Sequence, residues 1–184
     1  MFARTKRLTL RPYWPEDAAE LTRAIAHEAV AMKLARLPWP YSLQEAVAFL
    51  SLPRERDTPA FAILGHEQDY PRIVGGIGLH RDGEAHAIGY WLTPDVWGRG
   101  YATEAGQAML GIARHALGLK RLAAWHFADN PASGGVLRKL GFREVGRGTR
   151  PCLARGSEVD AVEFALDLDG RCEVETEVVM PMAA

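Results

Sequence analysis

From Ile88 to Leu92 the chain alternates: Ile88, Tyr90 and Leu92 fall on one face and Gly89 and Trp91 on the other, a period-2 pattern that Thr93 and Pro94 close. The period then changes. Ala105, Ala108, Met109, Ile112, Ala113 and Ala116 form one helical stripe, while Glu104, Gln107, Arg114 and His115 face away. Between strand and helix lies Trp97-Gly98-Arg99-Gly100-Tyr101-Ala102, a small-residue turn that feeds directly into the helix. The first N–H groups of a helix have no intrahelical partner, and its dipole is positive there. Two glycines at that point let the backbone approach a phosphate closely, and Arg99 adds a full charge. Gly98 and Gly100 therefore read either as an anion cradle or as no more than a tight connection. The turn is not a Lys-Ser/Thr phosphate loop, and it lacks the third glycine of the dinucleotide fingerprint.

The same patterns lay out the rest of the chain. Leu8 and Leu10 alternate up to Pro12 as a first strand. Pro15-Glu16-Asp17 opens a helix whose apolar face is Ala18, Leu21, Ala24 and Ile25. A structured loop follows from Leu34 to Tyr41, and Ser42-Leu43-Gln44-Glu45 then forms a capping box for a short helix stopped by Pro53. Ala60 to Leu64 and Ile73 to Leu79 predict two strands, the second joined to His86–Leu92 through an Asp82-Gly83 hairpin. The central helix ends at Gly118, and Arg121 to Phe127 predicts another strand. Val136, Leu137 and Leu140 mark a helix ending at Gly141, with Asn130 before Pro131 as an N-cap. A polar hairpin-like stretch from Arg147 to Glu158 leads to a last core strand, Asp160 to Leu168.

Bulk properties narrow the function classes. A chain of 184 residues, 48% hydrophobic, is expected to fold as one domain over residues 1–169, leaving 170–184 as an edge strand or a disordered tail. With 22 basic against 23 acidic side chains the net charge is -1, so no nucleic-acid surface is expected. There is no apolar run near the ~20 residues that span a bilayer. The first residues carry no signal-peptide core, so a cytoplasmic location is expected. Cys152 and Cys172 are read as free thiols, and the scattered histidines predict no metal.

Trp97-Gly98-Arg99-Gly100-Tyr101-Ala102-Thr103-Glu104-Ala105 resembles the acetyl-coenzyme A signature of the GCN5-related N-acetyltransferases (GNAT), written Q/R-x-x-G-x-G/A, with Trp97 where Gln or Arg is usual. More narrowly, it is similar to the ribosomal-protein N-terminal (RimJ/RimL-type) branch. A second segment, Asn130-Pro131-Ala132-Ser133 followed by a hydrophobic turn and Leu140-Gly141-Phe142, resembles the family's fourth-helix motif. The likeness spans Thr5 to Leu168.

It implies an α+β fold, with a mixed, mostly antiparallel sheet of about seven strands flanked by four helices. The fourth and fifth strands, Ile88–Leu92 and Arg121–Phe127, would splay apart. It implies acetyl-CoA as co-substrate and a peptide N-terminus or small molecule as acceptor amine, with direct attack in a ternary complex of a monomer or homodimer. Cofactor contacts would come from Leu92, Trp97, the amides of Gly98, Arg99, Gly100, Tyr101, Ala102 and Thr103, and from Asn130 and Ser133. Leu137 stands where many relatives carry a tyrosine acid. The resemblance therefore points to Ser133 to hydrogen-bond the developing thiolate, with Asn130 beside it; each is equally explained as a helix-terminus group. The glutamate common before the Ile-Gly-Tyr strand is Ala87 here, which leaves Glu84 or His126 as candidate bases. Trp39 and Tyr41 are expected to line the acceptor pocket or to cover the core. The alternative is a CoA-binding regulatory module without turnover.

Overall fold

In the computed structural model, residues 1–67 and 70–169 are described. The strands are β1 (Ala3–Arg4), β2 (Leu8–Pro12), β3 (Ala60–Gly65), β4 (Arg72–Asp82), β5 (Ala85–Leu92), β6 (Arg121–Phe127), β7 (Arg143–Cys152) and β8 (Ser157–Asp167). They form one eight-stranded sheet in the order β1-β2-β3-β4-β5-β6-β8-β7. Every neighbouring pair is antiparallel except β5 and β6, which run parallel and meet at a single register pair, Ala87 with Ala123. The strands expected as fourth and fifth are thus β5 and β6, with the short β1 added ahead of the count. The proposed edge strand or tail, 170–184, lies outside the described residues.

Two helical layers cover the sheet. On one face lie α4 (Tyr101–Gly111), which runs on into a π turn over Ile112–Ala116, and α5 (Pro131–Lys139). They close over Leu8, Leu10, Phe61, Ile63, Ile77, Leu79, Ile88, Leu122 and Phe164. The other face carries α1 (Ala18–Ile25), the single turn α2 (Glu28–Ala31) and α3 (Leu43–Leu50), which pack around Leu21, Ile25, Val30 and Ala46. The capping box forms as read, with the Ser42 N–H donating to the Glu45 carboxylate. The turn α2 has no stripe of its own, so the amphipathic period did not reveal it.

Two elements depart from the sequence reading. The β4–β5 hairpin pairs Asp82 with Ala85, so the turn residues are Gly83 and Glu84, with Gly83 at φ +60° in the first position. That is the place where a type II′ turn requires glycine. The polar stretch from Arg147 is part of a full strand, β7, paired with β8 from Arg143 to Cys152. Most of its side chains are exposed, as an edge strand allows.

Candidate functional site

The turn after β5 is built to leave amides free. The indole N–H of Trp97 donates to the Leu92 carbonyl at 2.8 Å, folding the connection back on its own strand. Gly98 and Gly100 adopt φ of +76° and +80°, the left-handed region that other residues enter only at a cost of about 1–2 kcal/mol. A side chain at Gly98 would meet nothing within 4 Å, so the space beside the turn there is open. The helix ladder begins only with the Glu104 N–H to the Gly100 carbonyl, 3.1 Å, so the amides of Tyr101, Ala102 and Thr103 precede the first intrahelical bond. This open cradle of amides at the positive end of α4 fits a pyrophosphate. The Tyr101 side chain points the other way and is buried in the core, so only its backbone N–H can serve.

The segment before β2 clamps this turn. Glu104 accepts from the Thr5 hydroxyl at 2.6 Å, the Arg7 N–H at 2.9 Å and the Arg7 Nε at 2.7 Å. Burial alone would raise its pKa, but the Thr5 and Arg7 bonds hold it below the usual carboxylate range. Arg7 Nη1 also donates to the Arg99 carbonyl at 2.9 Å, and the Arg99 guanidinium pairs with Glu67. Beside the clamp, an open cavity of about 720 Å3 runs along α4. Its lining includes the basic Arg4, Lys6 and Lys139 together with Gly100, Thr103 and Gln107.

Beyond Ala87 and Ala123 the β5 and β6 edges separate, and α5 begins there. Its entry is tied down by the Asn130 N–H to the Phe127 carbonyl at 2.8 Å and the Ser133 N–H to the Asn130 carbonyl at 3.1 Å. The Asn130 side chain makes no capping bond. Tyr90, on β5, reaches across to this turn. Its hydroxyl donates to the Ser133 carbonyl at 3.1 Å and lies 2.8 Å from Ser133 Oγ. Burial pushes the Tyr90 phenol up to about 12 against the opposing effect of the Ser133 bond, so it stays a neutral donor. Sequence reasoning did not single out Tyr90 as part of the site. The available signal was its alternation with Ile88, which puts it on the α4/α5 face.

The remaining candidates fall at several places. His126 is 7% exposed beneath α5; its Nδ1 bonds the Phe127 carbonyl at 2.8 Å, and its Nε2 has no protein partner and faces Gly134. Glu84 sits exposed on the hairpin tip, at the opposite end of β5 from Leu92. Tyr41 packs against the Leu21, Val30 and Ala46 cluster on the α1–α3 side, as Tyr13, Phe49 and Trp91 do, and burial raises its phenol to about 12. Trp39 lies in the preceding loop, 38% exposed. Cys152 is a buried free thiol, and Cys172 lies outside the described residues.

Comparison with known proteins gives a consistent answer. A family model described as "Acetyltransferase (GNAT) domain" matches residues 7–143. An uncharacterised N-acetyltransferase of Bacillus subtilis (strain 168), YoaA, is 30% identical over 149 residues, which is 77% of this chain and 82% of that protein. Among solved structures, RimL, a ribosomal L7/L12 alpha-N-protein acetyltransferase in complex with coenzyme A, aligns with a TM-score of 0.79 at 20% identity. That alignment covers 93% of this chain and 100% of that one. Mycobacterium smegmatis RimJ, in complex with a CoA disulfide, aligns with a TM-score of 0.73 at 26% identity, covering 87% and 81%.

Proposed function

This chain belongs to the GNAT acetyltransferase family, and on that premise we propose that it transfers the acetyl group of acetyl-CoA to a primary amine by direct attack in a ternary complex. The observation that carries the reading is the run of amides from Gly98 to Thr103, open to the side and following the strand that parts from β6. Those amides would hold the pyrophosphate, with Leu92, Trp97 and Arg99 around them. The basic side chains of Arg4, Lys6 and Lys139 would face further phosphate charge. The separated edges of β5 and β6 offer unpaired backbone groups to the amide-bearing arm of the donor. An α-amine, with a pKa of about 8, is partly neutral at pH 7 and is the less demanding acceptor; a small monoamine is the second class. Trp39 and Tyr41 would lie on the acceptor side.

Calorimetric titration with acetyl-CoA, CoA and 3′-dephospho-CoA tests the donor site. One-to-one binding is expected, weaker without the 3′-phosphate. Thiol release in the presence of peptides with N-terminal serine or alanine, or of small primary amines, tests transfer. Binding without release toward any amine would favour a CoA-responsive regulatory module instead.

At the leaving-group end, Ser133 would hydrogen-bond the developing thiolate, with the Tyr90 O–H turned from the Ser133 carbonyl onto Oγ so that the serine proton is free, and Asn130 beside it. Ser133→Ala is expected to lower kcat about 10²-fold, the scale of one lost donor to a developing anion, with acetyl-CoA affinity within about 3-fold of wild type. Tyr90→Phe should lower kcat without raising the amine KM, and adding it to Ser133→Ala should cost little more, because the two act as one unit. Unchanged turnover in Ser133→Ala would reduce that residue to a helix-end hydroxyl.

A further inference from the structure

The face of the sheet opposite Tyr90 carries a polar side chain at the point where β5 and β6 part. Gly76, Gly78, His80 and Asp82 share the α1/α3 face of β4, opposite Trp91, Gly89, Ala87 and Ala85 of β5. A Cβ at Gly89 would lie 3.5 Å from His80 Cε1 and 3.7 Å from Nδ1. The imidazole therefore overhangs Gly89, the first residue on this face past the single β5–β6 pair at Ala87. Gly89 has no side chain to put in its way.

Of the neighbouring ionisable groups, Asp82 and His86 are already paired, and Arg36 is close enough to act on the ring by its charge. Asp82 bonds Arg150 at 3.4 Å, and Arg150 also bonds Glu163 at 2.9 Å and lies over the Trp125 ring. His86, on the other face, is taken by Asp57 at 3.1 Å. His80 is half-buried and is not part of these networks. Burial and then the Arg36 charge hold its pKa below the ordinary imidazole value, with Asp82 opposing them, so the ring is neutral at pH 7.

We propose that His80 is the general base for the acceptor amine, acting from the α1/α3 face while Ser133 and Tyr90 act from the other. This rests on the acetyl-transfer reading above. The imidazole takes one proton from the ammonium form of the amine, directly or through one water. The freed lone pair forms the N–C bond, and the C–S electron pair stays on sulfur. The second amine proton passes to that sulfur to give the thiol, and the imidazolium returns its proton to solvent.

The test uses His80→Gln in the full chain, with acetyl-CoA and the best acceptor among the N-terminal serine and alanine peptides and small primary amines. At pH 7, kcat/KM for the amine should fall roughly 10²-fold, the usual scale for a positioned base. The deficit should shrink as pH rises through the amine's own pKa, because the amine then ionises without help. Calorimetric affinity for acetyl-CoA should be unchanged. The His80 Cε1–H resonance of the wild type should titrate below about 6.5, matching an acidic limb in kcat/KM that His80→Gln lacks. An active wild type with an equally active variant at pH 7, a parallel loss of acetyl-CoA affinity, or titration above neutrality would each overturn the assignment alone. A wild type that binds acetyl-CoA but acetylates none of these amines would instead reject the transfer reading, and His80 as base with it.

Discussion

Replacing Gly100 with glutamate is expected to abolish saturable acetyl-CoA binding while leaving the fold near native. Gly100 stands at φ +80° as the residue that opens α4, and the first helical bond accepts at its carbonyl. A side chain there is strained by about 1–2 kcal/mol, which a domain of this size tolerates. A new Cβ would lie 3.6 Å from Arg7 Nη2, an ordinary contact, so nothing in the clamp need move. The carboxylate, however, would sit at the positive end of the helix and satisfy the amides of Tyr101 to Thr103 itself. Two or three charge-assisted bonds at about 1.5–3 kcal/mol each would then be denied to the pyrophosphate, and its own charge repelled. An affinity loss beyond about 10³-fold follows. Gly100→Ala carries the same backbone strain without the charge, and its affinity should fall less than about 10-fold. Calorimetry and a thermal melt on both variants separate the effects. Unchanged binding by Gly100→Glu would remove the pyrophosphate from this turn.

The loop was legible because all its determinants are local: two glycines, a strand period before them and a helix period after. The same holds for the Ser42 capping box and for β8, whose alternation at Val162, Phe164 and Leu166 needs no partner to be read. The strand β7 was legible only in part. Its exposed Arg143–Cys152 run, with Gly146, Gly148 and Pro151, has no apolar period, and only its pairing with β8 makes it a strand. The family likeness carried the large features of the fold, including the parting of β5 from β6. The chemistry that joins distant segments was harder to see. Tyr90 matters because α5 begins beneath the parted strands, and His80 because the hairpin register sets it opposite Ala87. A hairpin turn one residue longer or shorter would have set a different β5 residue opposite His80. His126 was read from its place at the end of a strand, but the side-chain period turns it toward α5 with Leu122 and Ala124.

Asp17→Ala should produce the largest loss of stability, with no direct effect on the site. Arg11 projects from β2 onto the α1 face and is 8% exposed, and Asp17, just before α1, is 5% exposed. The two are joined by a pair of bonds at 2.7 Å each. Asp17 also accepts the Trp14 N–H at 2.8 Å, and the guanidinium stacks over the Trp14 ring. Removing the carboxylate leaves a buried guanidinium without its counter-ion, held only by the Pro12 carbonyl at 2.9 Å and the Trp14 ring, and a backbone N–H without its partner, a situation that costs about 3–5 kcal/mol. For a chain of this length that corresponds to a drop in Tm of roughly 10 °C. Burial alone would raise the Asp17 pKa, but the Arg11 and Trp14 bonds hold it below its ordinary value. A carboxylate whose folded pKa is depressed contributes stability above its unfolded pKa, near 4, and loses it as pH falls through the folded pKa. The difference between wild type and Asp17→Ala in urea unfolding should therefore be full at pH 7 and shrink below pH 4. Replacing both partners with apolar residues, Arg11→Met with Asp17→Leu, should recover most of the loss, because the cost lies in the stranded charge and not in the absence of the pair. A single variant within about 1 kcal/mol of wild type at pH 7 would mean that water reaches Arg11 and that the β2–α1 corner is not sealed by this pair.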